Sequence, residues 1–214
     1  CALPIYPSVR SGGRFAAVEE IAVTAAGAVD LTDLRRKVHE KKRPLVSLMV
    51  ANNETGVVQP VTEAAAMVHQ AGGLLHADAI QAPGRISCDF KGLGADLMTL
   101  SAHKIGGPQG AGALVRRDGL PLDALLRGGG QERGARAGTE NVAAIAGFGA
   151  AARAVRLALA EEAARLAALQ GLLEAGIRAV APEAVIFGAE AARLPNTTLF
   201  AVPGMKAETA VIAF

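Results

Sequence analysis

The sequence predicts an α/β fold: a mostly parallel sheet with helical cover, followed by the start of a second domain. Two patterns carry this. Short apolar runs (45–50, 73–77 and 96–100) alternate with stretches whose apolar residues recur at helical spacing. Each of those runs also ends abruptly in polar residues, as strands do when they deliver functional loops at their carboxyl ends. Composition agrees: 51% of the chain is hydrophobic but only 3% aromatic, so a sizeable core must be packed with Ala, Leu, Val and Ile.

In chain order, residues 1–17 are broken by Pro4, Pro7 and Gly12-Gly13 and predict no regular element. Glu20 to Thr24 reads as a short strand and Gly27 as a turn. Asp30 to Lys42 reads as a helix on Leu31, Leu34 and Val38, its basic residues forming the polar side and end. Leu45 to Val50 is a buried strand, with Asn52-Asn53-Glu54-Thr55-Gly56 as a polar loop after it. Val61 to Ala71 is a helix offering Ala64, Ala65, Val68 and Ala71, stopped by Gly72-Gly73. Gly73 to Ala77 and Asp96 to Leu100 are strands, joined by a connector that includes Asp89 to Gly94. Ala111 to Arg116 is a further strand, reached through an irregular loop of Gly106, Gly107, Pro108 and Gly110. Arg127 to Thr139 is a glycine- and arginine-rich loop. Asn141 to Val180 is a long Ala-rich helical region with breaks expected near Gly147–Gly149 and Gly171. Val185–Gly188 and Thr197–Ala201 read as two strands of a second domain.

Charge and cysteine content exclude several classes. The 22 basic and 20 acidic residues leave +2, which argues against nucleic acid as the main partner. Cys1 and Cys88 make no disulfide framework and no CxxC motif, and no metal site is predicted. No apolar run reaches ~18 residues without a charge or break, so no membrane span is expected. With no leader pattern at the start, the expected setting is cytoplasmic. The first residue is not Met and the last residues stop within an apolar run, which reads as an interior piece of a longer protein.

The chemistry-bearing residues gather at the predicted strand ends. Asp78 and Gln81 follow one strand; Ser101, His103 and Lys104 follow the next. A carboxylate, an amide, a hydroxyl, an imidazole and an amine suit an aldehyde cofactor with a ring nitrogen and a phosphate. The simplest is pyridoxal phosphate, held as a Schiff base on Lys104. Asp78 would balance a protonated ring nitrogen, Gln81 would donate to the phenolic oxygen, and Ser101 would bond the phosphate. His103 suits either the phosphate or a transferring proton. Asn53, on a third strand end, suits a cofactor oxygen or a substrate carboxylate. Arg133, Arg136 and Thr139 suit an anion or a subunit contact. His76 reads as a packed histidine, and Cys88, with no base beside it, as structural.

Four stretches in this order resemble the cysteine desulfurases of the NifS and IscS type, the class V aminotransferase branch of fold-type I pyridoxal phosphate enzymes. They are Asn52 to Pro60, His76 to Gln81, Ser101 to Gly110 and Gly128 to Asn141. The resemblance runs from about Val18 to Phe214. It implies an aspartate aminotransferase-like fold. Residues 18–150 would form an incomplete cofactor-binding large domain. Residues 151–214 would form a linking helix with an incomplete small α+β domain, and residues 1–17 lie outside the pattern. It also implies roles. Lys104 carries the Schiff base, Asp78 pairs with the pyridine nitrogen, Gln81 contacts the phenolic oxygen, and Ser101 and His103 hold the phosphate. Asn53 approaches cofactor and substrate, and Thr139 reaches the cofactor of the other subunit in a homodimer. The implied reaction converts L-cysteine to L-alanine and passes sulfur, through an enzyme persulfide, to an acceptor for iron–sulfur cluster assembly or tRNA thiolation. The persulfide-carrying cysteine loop and the substrate-clamping arginine fall beyond Phe214 in this pattern, so residues 1–214 alone are expected to lack activity. Rival readings are a selenocysteine lyase or other class V enzyme, and a non-catalytic scaffold retaining the fold. A nucleotide-binding α/β protein is disfavoured, because the chain has no GxGxxG unit after a strand and no Walker loop.

Overall fold

A computed structural model describes residues 18–213. The reading of residues 1–17 as outside the pattern falls outside the described residues.

Helix α1 spans Leu31–His39. Asp30 caps it, its side chain accepting from the Thr32 and Asp33 amides, and Leu34 and Val38 are its buried residues. It ends three residues before the predicted Lys42, and Arg43 takes a left-handed φ of 57° in the turn beyond. Strand β1 (Leu45–Met49) follows, then helix α2 (Val61–Gln70). At the end of α2, Gly72 adopts φ 70°, the Gly72 amide donates to His69 O and the Gly73 amide to Val68 O. That left-handed glycine turns the chain back towards the sheet.

Strands β2 (Leu74–Asp78) and β3 (Leu97–Ser101) run parallel to β1. Strand β4 (Gly112–Arg116) closes the order β1-β2-β3-β4 and runs antiparallel to β3. The sheet is therefore mostly parallel, as expected. The residues Glu20–Thr24 differ from expectation: they form no strand, only a single bridge between Val23 and Val29. Among the described residues they have no neighbouring strand to continue the ladder.

Successive side chains on a strand alternate between the two faces. One face presents Val46, Leu48, Leu75, Ala77 and Met98, and these pack in one core with Leu34, Val38, Val61, Ala64, Ala65 and Val68 of the two helices. The other face presents Ser47, His76, Asp78, Thr99 and Ser101, all half-buried.

Helix α3 runs unbroken from Val142 to Val180, capped by the Asn141 side chain, which accepts from the Ala144 amide. The breaks predicted near Gly147–Gly149 and Gly171 do not occur. Each glycine costs only about 1 kcal/mol in a helix, against long stretches of Ala and Leu. By length and composition α3 is apolar enough to cross a membrane: an 18-residue stretch of it has a mean hydropathy of 1.5, with 6% of that stretch buried. The sequence expectation rested on uninterrupted apolar runs, whereas here alanines raise the average around Arg153 and Arg156.

The far end of α3 is fastened to the chain that follows it. Gln170 donates to Leu194 O and Thr197 O, and Glu174 pairs with Arg193 at 2.6 Å. Beyond α3 lie β5 (Val185–Ile186) and β6 (Phe200–Ala201), an antiparallel pair far shorter than predicted, and helix α4 (Ala207–Ala213). Residues 192–194 return to the first sheet's edge loops, where Val58 N donates to Ala192 O and Leu194 N to Gly56 O.

Candidate active site

Parallel pairing brings three strand ends to one edge. Met49 pairs with Asp78, and Asp78 with Thr99, so the loops after β1, β2 and β3 emerge side by side. This is where an open α/β sheet places its ligands.

Asp78 ends β2 half-buried. Its Oδ1 accepts from the Ile80 amide at 3.1 Å and meets Thr99 Oγ1 at 3.5 Å. Gln81 sits one turn further on, also half-buried. After β3 the chain enters a 3₁₀ turn, Ala102–Ile105, that carries His103 and Lys104. Ala102 is fully buried and anchors the turn, while Gly106, at φ 81°, reverses the chain so that the Gly107 amide reaches Ala102 O. Ser101 Oγ and His103 Nδ1 are 2.8 Å apart, forming a hydroxyl–imidazole pair beside the lysine. Lys104 is half-buried and His103 exposed.

Asp78 and Ser101 thus end β2 and β3, and Gln81, His103 and Lys104 lie in the two adjoining loops that follow them. Asn53 stands exposed in the turn after β1, at the same edge. Its neighbour Asn52 builds that turn: buried, it accepts from the Glu54 amide (2.9 Å), the Thr55 amide (2.8 Å) and the Thr55 hydroxyl (3.1 Å). Thr139 is exposed in the loop between β4 and α3, and no hydrogen bond among the described residues ties it to the strand ends. Arg136 in the same loop donates to Ala137 O, and Arg133 is exposed.

Sequence reasoning missed two sets of residues. Arg85 donates to Gln81 O at 3.1 Å and to Lys104 O at 3.3 Å, clipping the acid-bearing loop to the lysine-bearing one. Nothing local distinguishes it from an ordinary turn arginine. Ser47 and Thr99 both contact His76, at 2.8 and 3.2 Å. Period-two alternation back from Ser101 places Thr99 on the site's face, so that signal was present.

Burial pushes the Cys88 thiol up to about 11, with Asp89 adding to the effect. Such a thiol is protonated near neutrality and a poor nucleophile, as its structural reading implies. An open recess of about 470 Å³ lies at the opposite end of the sheet, around His69, Asp96 and Arg117. There the fully buried Asp96 accepts from the Leu75 amide and lies 2.8 Å from His69 Nε2 and 3.1 Å from Arg117 Nε. These contacts secure the start of β3, away from the lysine.

The donor set fits a pyridoxal-type cofactor. An amine, a carboxylate, an amide and a hydroxyl–imidazole pair sit on adjoining loops above one sheet edge, each matching one functional group of that molecule.

Residues 11–213 match the family model "Aminotransferase class-V". A cysteine desulfurase of Cereibacter sphaeroides is 44% identical over 195 residues, covering 91% of this chain and 49% of that protein. The chain spans about half the length of the curated relatives it matches. Among solved structures, a NifS-like protein from Rickettsia africae superposes with a TM-score of 0.87 at 39% identity, covering 91% of this chain and 54% of that one. A structure of SspA in complex with cysteine gives a TM-score of 0.54 at 35% identity, covering 60% of this chain and 38% of that one. The fold is thus the fold-type I architecture of these NifS-like proteins.

Proposed function

From the premise that the chain belongs to the aminotransferase class-V family, we propose that it is the cofactor-binding part of a cysteine desulfurase. The whole enzyme converts L-cysteine to L-alanine and hands the sulfur on through an enzyme persulfide. One observation carries the reading: the Lys104 turn and the Asp78–Gln81 loop adjoin at a single sheet edge, clipped together by Arg85. The naming of relatives as cysteine desulfurases, and a neighbour's complex with cysteine, support the substrate class.

Pyridoxal phosphate, when bound, supplies an electron sink for bonds at the amino acid's α-carbon. Lys104 would hold it covalently through its amine. Asp78 would face the ring nitrogen and keep it protonated by charge attraction. Gln81 would donate to the phenolic oxygen, and Ser101 with His103 would hold the phosphate. Asn53 would meet cofactor or substrate oxygen. His103, exposed beside the lysine, would also carry protons to and from the reacting amino acid. Thr139, on its exposed loop, would reach the cofactor of a second copy in a homodimer. The sulfur-carrying thiol is not Cys88, whose burial keeps it protonated. The downstream acceptor is a sulfur-acceptor or iron–sulfur scaffold protein, in a cytoplasmic setting.

The test is the absorption spectrum of the full chain titrated with pyridoxal phosphate, beside Lys104→Ala. The expected result is a visible-wavelength band that survives gel filtration and vanishes in Lys104→Ala. A folded chain with no lysine-dependent band refutes the proposal.

A further inference from the structure

The polar face of the sheet carries one array that the proposed roles leave unused. Ser47, His76 and Thr99 lie on β1, β2 and β3, and they connect in sequence. Ser47 Oγ is 2.8 Å from His76 Nδ1, His76 Nε2 is 3.2 Å from Thr99 Oγ1, and Thr99 Oγ1 is 3.5 Å from Asp78 Oδ1. The strand registers that pair Ser47 with His76 and Asp78 with Thr99 put all four residues on one face.

We infer that Ser47, His76 and Thr99 form a directional hydrogen-bond relay that orients the Asp78 carboxylate towards the ring nitrogen of the cofactor.

The direction follows from donor bookkeeping. Asp78 as a carboxylate only accepts, so Thr99 must donate its single proton to it. Thr99 can then only accept from His76, so Nε2 bears the imidazole proton. Nδ1 is left as an acceptor, and Ser47 donates to it. Every hydroxyl and the imidazole are used once, and all donors point the same way. Burial, the main influence on His76, lowers its proton affinity, while the charge of Asp78 works against that; the neutral ring required here is thereby favoured.

The consequence is positional. Asp78 Oδ1 is engaged by Thr99 and by the Ile80 amide. No hydrogen bond among the described residues engages Oδ2, which remains for an incoming N–H. Ser47, His76 and Thr99 are positioning residues, since they act on the cofactor only through Asp78.

This rests on the pyridoxal phosphate reading, and the experiment separates the two. Isotope-labelled histidine nitrogens in the cofactor-free chain, with His76→Gln for assignment, should show a neutral Nε2–H tautomer for His76. That pattern should change in Thr99→Val. A wild-type His76 protonated on Nδ1 instead overturns the relay. Pyridoxal phosphate titrations then test its purpose. Thr99→Val should weaken binding about tenfold, the value of one hydrogen bond to a charged group, whereas Thr99→Ser should stay within about twofold of wild type. The ring-nitrogen resonance of labelled cofactor should move in Thr99→Val and return in Thr99→Ser. A chain that binds through Lys104 but is indifferent to Thr99→Val overturns this inference alone. A wild-type chain with no Lys104-dependent band overturns the cofactor reading and this inference with it.

Discussion

Replacing Glu174 with glutamine removes the charge that fastens α3 to the segment after it. Glu174 is only 8% exposed, and its partner Arg193 keeps 10% of its side chain exposed. Glu174 Oε1 accepts from Arg193 at 2.6 Å and from Thr198 Oγ1 at 3.0 Å, and Arg178 lies 3.9 Å from Oε2. Among the described residues Arg193 Nη1 has no hydrogen-bond partner, so losing the Glu174 carboxylate would leave the guanidinium's charge largely uncompensated. Breaking a buried pair from one side costs about 3–5 kcal/mol, and glutamine, which keeps an acceptor, should fall near about 3 kcal/mol. Glu174→Met with Arg193→Met removes both charges together. It should lose less than the sum of the single variants, with a coupling of about 2 kcal/mol. Urea unfolding at constant slope reads Glu174→Gln, the two single methionine variants and the double variant. The pH dependence has a definite sign. Burial alone would raise the carboxyl's pKa, but the hydrogen bonds and charges of Arg193, Thr198 and Arg178 outweigh it and lower the pKa. The pair's stabilisation is therefore present above the ordinary carboxylate range and lost as pH falls through the lowered value. A loss under about 1 kcal/mol for Glu174→Gln, or strict additivity in the double variant, would refute the reasoning.

Two further predictions concern the site's supports. A Cβ at Gly147 would fall 2.6 Å from Pro108 Cγ and 2.8 Å from Cδ, where α3 crosses the lysine loop. Gly147→Ala should cost about 1–3 kcal/mol by thermal or urea unfolding and also weaken pyridoxal phosphate binding; unchanged stability would show that the loop yields freely. Cys88, with its thiol raised to about 11, should react with iodoacetamide far more slowly than an unfolded control near neutrality. Its contribution to stability is complete below the unfolded thiol's value of 9.0 and is lost as pH rises towards about 11, so equal alkylation rates in folded and unfolded chain would count against the burial.

What could be read from the sequence depended on how far apart the interacting residues lie. The strand ends were legible because Leu74-Leu75 and Leu97-Met98 give way within a few residues to Asp78 and Ser101, and a strand cannot bury such groups without partners. Helix α1 was legible from Leu31, Leu34 and Val38, all within eight residues. The expected breaks in α3 failed for the opposite reason. Gly147 is not a local breaker but the residue that lets Pro108 approach, a contact across 39 positions that no window along the helix contains. Glu174 with Arg193, and Arg85 with the Lys104 carbonyl, are likewise separated by 19 residues each. Exposed turn arginines have the same local appearance.

The site's dependence on register ties these two kinds of information together. Side-chain direction in a strand has a period of two, so a slip of one residue between β1 and β2 would send His76 and Asp78 to the core face and Leu75 and Ala77 to the polar one. Leu75 and Ala77 are fully buried against α2, which makes that slip very costly. The apolar residues therefore hold Asp78 on the side where Thr99 and Ser47 stand, though none of them touches the site. Fold stability and site geometry are here the same constraint read on opposite faces of one strand. A core substitution such as Leu75→Ala should consequently disturb Asp78 through register, before any change in the Asp78 loop itself.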